Sequence, residues 1–120
     1  MMKNNELRIG NIISKRGTVI NVKPETILKI SRYPLPYKPI QITVEWLLLL
    51  GFEKTYHSNV RTRFDLIDNA KIGYDFNNYG EIDGMIGFRY VGNYFGHIQY
   101  VHQIQNLYFA LTGEELEVKP

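Results

Sequence analysis

The 120-residue sequence contains no cysteine. That absence removes disulfide frameworks, thiolate metal sites and cysteine nucleophiles together. No apolar run approaches the roughly 20 residues that a membrane-spanning helix needs. The opening MMKNNELRIG carries one lysine and then polar residues, without the apolar stretch of a secretory signal, so a cytoplasmic protein is expected. Catalytic side chains are scarce as well. The histidines are His57, His97 and His102, and the serines are Ser14, Ser31 and Ser58. No serine stands in a strand-turn-helix elbow, and His97 and His102 are five apart rather than at the i, i+4 spacing that sets two metal ligands on one helical face. No glycine loop runs into a Lys-Ser/Thr pair, and no G-x-G-x-x-G leads from a strand to a helix. The carboxylates Asp65, Asp68, Asp75, Glu81 and Asp83 form no loop of alternating ligands, and turn capping explains them better. The expectation is a protein that is not an enzyme and uses no metal or cofactor.

What is present suits one globular domain over residues 1–120, with 44% hydrophobic and 22% charged residues. The net charge of +2 hides an uneven distribution. Through Arg63 there are eleven Lys or Arg against four Glu, and from Phe64 onward three against eight acids. A basic first half attracts nucleic acid or an acidic protein surface, while the second half repels phosphate.

ELRIGNIISKRGTVINVKPETILKI alternates short apolar stretches with turn signals, which predicts three strands: one around Leu7 to Ile13 bent at Gly10, one over Thr18–Val22 after a turn at Gly17, and one over Thr26–Ile30 led in by Pro24. SRYPLPYKPI, with three prolines between Pro34 and Pro39, reads as an ordered loop. Its Tyr33, Leu35 and Tyr37 either pack on the prolines and the sheet or offer a surface to a protein partner. PIQITVEWLLLLGF predicts a helix over about 43–50, capped by Thr43, stopped at Gly51 and buried between layers. RFDLI, IGYDF, GMIGFRY and HIQYV then read as four strands, with turns at HSN, DNA, NNYGEIDG and VGNYFG.

YVHQIQNLYFALTGEEL predicts a second helix over about 100–112. It places Tyr100, Ile104, Leu107, Tyr108 and Leu111 on one apolar stripe and ends at Gly113. His102, Gln103, Gln105 and Asn106 would then face solvent. Phe109, beside His102 and Asn106, would form a small contact spot for a protein partner. The fold class is therefore α+β: a strongly bent antiparallel sheet, or a small SH3-like half-barrel, with two helices. Lys15, Arg16, Lys23, Lys29 and Arg32, in a chain with nine tyrosines, are the candidate nucleic-acid contacts, combining phosphate binding with base stacking.

The segments LRIGN, PIQITVEWLLLLGFEK and IQYVHQIQNLYFALTGEEL together resemble a family of small, uncharacterised proteins encoded by prophages and mobile elements of Bacteroidetes bacteria. The region from Tyr56 to Gly96 is only loosely similar. The family has no assigned catalytic residues to carry over. The resemblance implies a phage-derived protein that works by occupying a surface of a host machine. An anti-defence inhibitor of the anti-CRISPR type, bound to a host RNA-guided nuclease or its guide RNA, is the leading expectation. A small nucleic-acid-binding accessory protein of phage replication or regulation is the alternative, and a structural or assembly component a third.

Overall fold

The computed structural model describes residues 7–59, 61–77, 87–95 and 98–118. Among them the fold is α+β, with eight strands in two antiparallel sheets and three helices; neither sheet closes into a barrel. The backbone divides into two compact units. One comprises residues 1–41 and 100–116, the other 42–99 and 117–120.

In the first unit, β1 (Ile12–Lys15) lies between β2 (Thr18–Asn21) and β3 (Tyr37–Lys38). The β1–β2 hairpin turns through Arg16 and Gly17, both at positive φ, a conformation that glycine adopts without steric cost. Leu7, read as part of the first strand, precedes β1 and joins the core with Ile13, Val22, Ile30 and Tyr37.

The third predicted strand is a correction: Pro24–Arg32 is a helix, α1. Pro24 occupies the first turn, where its missing N–H costs nothing, and the Thr26 hydroxyl accepts from the Lys23 N–H at 3.1 Å. Glu25 lies in the first turn and Lys29 and Arg32 in the last, each matched to the helix dipole. Thr26 and Ile30, four apart, are buried on one face with Ile27 partly buried beside them, so a 3.6-residue period replaces the period of two. The last helix of this unit, α3 (Val101–Thr112), packs on β1 and ends at Gly113 in the left-handed conformation.

The second unit opens with α2 (Val44–Leu49), capped by the Thr43 hydroxyl, which accepts from the Trp46 N–H at 3.2 Å. Gly51, at φ 94, follows it. The helix is not enclosed between layers as its composition suggests. Leu47 and the following Leu50 are buried, but Val44, Leu48 and Leu49 are exposed, because one short helix turns only one face to the sheet.

The sheet has the order β4 (Phe52–His57), β5 (Arg61–Leu66), β6 (Asn69–Asn77), β7 (Gly87–Tyr90) and β8 (Asn93–Phe95). Residues 93–95, read as part of a turn, form β8; of the stretch read as the last strand, residues 98–100 lead into α3 through an isolated bridge from Tyr100 to Gln41, and Val101 is already the first residue of the helix. The predicted turn over 77–84 lies mostly outside the described residues, as do His97, Glu81 and Asp83.

On one face of this sheet Phe64, Tyr74 and Phe88 stand in register across β5, β6 and β7 and are buried. Phe76 meets Phe64 edge-on with ring centroids 5.9 Å apart. The opposite face carries Asp65, Gly73 and Arg89, also in register. The Arg89 guanidinium lies over Gly73, where a Cβ would come 2.6 Å from Cζ. Absence of a side chain at Gly73 is what admits the arginine. Arg89 Nη2 donates to the Phe64 carbonyl at 3.2 Å and to the Asp65 carboxylate. Asp75, buried, accepts from the Tyr94 hydroxyl at 3.0 Å and lies 3.5 Å from Arg89 Nε. Burial by itself would raise the Asp65 pKa. Hydrogen bonds from Arg89 and Thr55, with the charges of Arg89 and Arg63, outweigh burial and hold the carboxyl below its ordinary value.

Candidate functional site

The first unit holds the densest positive charge. By sequence it carries eight Lys or Arg against four Glu, and the second unit six against eight acids. Within it, a cleft of about 430 Å³ is bounded by β1, β2, the start of α1 and β3; Lys15, Lys23 and Lys29 line it with Asn21, Thr26 and Tyr37, and Glu25 is its one acid. The topology makes this convergence. Lys15 ends β1 beside the turn into β2, Lys23 precedes α1, and Lys29 lies six residues further on, within that helix.

Lys15 is steered by Tyr37, its partner in the β1–β3 pairing: the ammonium lies 5.5 Å from the ring centroid. Among the described residues, no carboxylate forms an ion pair with Lys15, Lys23 or Lys29. Three lysines thus line one concavity with a single glutamate. Such a site attracts polyanions.

Of the five cations read as nucleic-acid contacts, Lys15, Lys23 and Lys29 are therefore brought together. Arg16 and Arg32 are exposed outside the cleft lining, next to it in the chain. Arg16 N–H donates to the Pro36 carbonyl at 2.9 Å, which ties the β1–β2 turn to the proline loop.

The aromatic loop splits. Tyr37 is 3% exposed and belongs to the core, whereas Tyr33 and Leu35 are 70% and 79% exposed. Tyr37 is thus a wall of the cleft and not a surface for a partner.

The polar row of α3 is largely turned the other way from the sequence reading. His102 is 1% exposed, which removes it from the proposed contact surface, and its ring stacks on Tyr100 with centroids 6.1 Å apart. Gln105 is buried too. Its Oε1 accepts from the Ile12 N–H at 2.8 Å, and its Nε2 donates to the carbonyls of Leu116 at 3.2 Å and Gly10 at 3.3 Å. Asn106 Oδ1 accepts from Arg8 at 2.6 Å and from buried Asn11 at 2.9 Å. Phe109 is 40% exposed, with the Arg8 guanidinium 4.2 Å from its ring centroid, and Arg8 also pairs with Glu115. The physical reason is that backbone groups around β1 need partners when buried, and an amide on the facing helix supplies both a donor and an acceptor.

Among the described residues no three His, Asp or Glu side chains converge as a metal site, and no helix is long and apolar enough to cross a membrane. No protein-family model, curated protein or solved structure matches the chain.

Proposed function

We propose that the protein is a non-enzymatic binding protein of the cytoplasm, and that it holds the phosphate backbone of a nucleic acid in the lysine-lined cleft of its first unit. The observation that carries this reading is the convergence of Lys15, Lys23 and Lys29 on one concavity, with no ion pair to a described carboxylate. Ammonium groups placed this way gain from phosphate contact chiefly by releasing the counterions condensed on the nucleic acid. The resemblance to prophage-borne proteins supplies a setting: an anti-defence inhibitor of the anti-CRISPR type that engages a host RNA-guided nuclease through its guide RNA. An accessory protein of phage replication or regulation would use the same cleft on another nucleic acid.

The test is a mobility shift with RNA and DNA oligonucleotides at low salt. Wild type should shift them, and the pair Lys23→Glu with Lys29→Glu, both exposed residues, should not, with an unchanged circular dichroism spectrum. A wild-type protein that leaves every oligonucleotide unshifted would defeat the reading. Capture from lysate of a nuclease whose binding is lost after RNase treatment would place the protein in the anti-defence setting.

A further inference from the structure

We infer that the strand held in this cleft is single, with phosphates on the lysines and an unpaired base on Tyr33; the inference rests on the nucleic-acid reading just given and narrows its ligand. Two cleft-lining residues, Lys29 and Tyr37, flank the loop that carries Tyr33 and Leu35. The loop, residues 33–36, begins at the end of α1, one turn beyond Lys29, and runs into the cleft-lining Tyr37. Tyr33 and Leu35 are 70% and 79% exposed, and no internal packing accounts for either.

The loop is also fixed at both ends. The Tyr33 N–H donates to the Lys29 carbonyl at 2.7 Å, the Tyr37 N–H to the Pro34 carbonyl at 3.1 Å, and the Arg16 N–H to the Pro36 carbonyl at 2.9 Å. An aromatic ring that is open to solvent on a pinned backbone loses little freedom when a base stacks on it. Lys29 and Tyr33 are one helical turn apart, a rise of about 6 Å at 1.5 Å per residue. That separation is comparable to the step from one nucleotide to the next in an extended strand, so a phosphate at Lys29 leaves the adjoining base within reach of the ring.

A duplex fits poorly on the same features. Its bases are stacked on each other and present only edges, so Tyr33 has no face to meet. Single-strand binders combine a basic groove with an aromatic platform and read little sequence, and this surface carries both parts.

The experiment is fluorescence anisotropy on the whole chain at low salt. The probes are fluorescein-labelled single strands of RNA and of DNA, on the order of a dozen nucleotides long, and a DNA duplex of the same length. Wild type should bind at least one single strand about tenfold more tightly than the duplex. Tyr33→Ala should lower single-strand affinity about tenfold and leave the duplex affinity unchanged, while Tyr33→Phe should keep wild-type affinity because the ring face is retained. Equal affinity for strand and duplex, or a Tyr33→Ala variant indistinguishable from wild type, overturns the inference. If in that case Lys23→Glu with Lys29→Glu still abolishes binding, the cleft reading survives without it. Failure of wild type to bind any of the probes overturns both.

Discussion

The ammonium of Lys15 lies over the ring of Tyr37, 5.5 Å from its centroid, and Tyr37 is buried in the core of the first unit. One side chain therefore both fills the core and aims a charge into the cleft. Tyr37→Leu keeps an apolar group of moderate size but removes the π face. We expect a stability loss of about 1–3 kcal/mol from the altered packing. Oligonucleotide affinity, measured by anisotropy under folding conditions, should fall a few-fold, in line with a cation–π contact of about 0.5–1 kcal/mol.

Gln105 predicts a larger structural effect. Its amide joins the start of β1, the Gly10 carbonyl and the Leu116 carbonyl from inside α3. Gln105→Leu is similar in size and leaves those backbone groups without that partner. Urea unfolding should show a loss of about 2–4 kcal/mol, because each buried group left unsatisfied costs about 1–3 kcal/mol. A loss near zero would mean that water replaces the amide.

Gly73→Ala tests the arginine that crosses the second unit's sheet. The added methyl would meet the Arg89 guanidinium and, at 2.5 Å, the Phe64 carbonyl oxygen, and backbone cannot yield as a flexible side chain does. Overpacking of this kind costs about 1–3 kcal/mol. A lowered melting temperature is expected, with Gly73→Ala and Arg89→Ala partly non-additive when combined, since they share the Arg89 contact while the clash with the Phe64 carbonyl remains.

The pH dependence has two separable limbs. Asp65 has a folded-state pKa below its ordinary value of 3.8, so its contribution to stability is complete above that value and is lost as pH falls through the folded pKa. Tyr74, which donates to the Ile98 carbonyl at 2.7 Å, is pushed by burial up to about 12 from 10.0. Its contribution is complete below pH 10 and is lost as pH rises toward about 12. In denaturant midpoints measured against pH, Asp65→Asn should flatten the acid limb and Tyr74→Phe the alkaline one, each without moving the other.

Elements closed by strong punctuation were legible in the sequence. The Thr43 cap, the stops at Gly51 and Gly113 and the turn at Gly17 all occur where the residue types place them. The strands at β5, β6 and β7 follow their aromatic and β-branched runs. Helix α1 was hidden because TILKI has the β-branched content of a strand; Pro24 and Glu25 carried the contrary signal. β8, three residues between glycines, is too short to show a period.

The site was legible as residue types and not as a place. Lys15, Lys23 and Lys29 stand out in the chain as charges, but only the helix at 24–32 turns Lys29 toward Lys15 and Tyr37. Gln105 reads in the sequence as a surface amide. Polar residues on a helix face solvent by default, and nothing local reveals that a facing backbone needs them.

The most direct test of the account is the salt dependence of binding to a single-stranded oligonucleotide, compared between wild type and the Lys23→Glu, Lys29→Glu pair. Three lysines on phosphates predict a slope of log affinity against log salt of about −2 for wild type, with binding lost in the pair. A salt-independent affinity, or a pair variant that binds with the wild-type slope, would contradict the account.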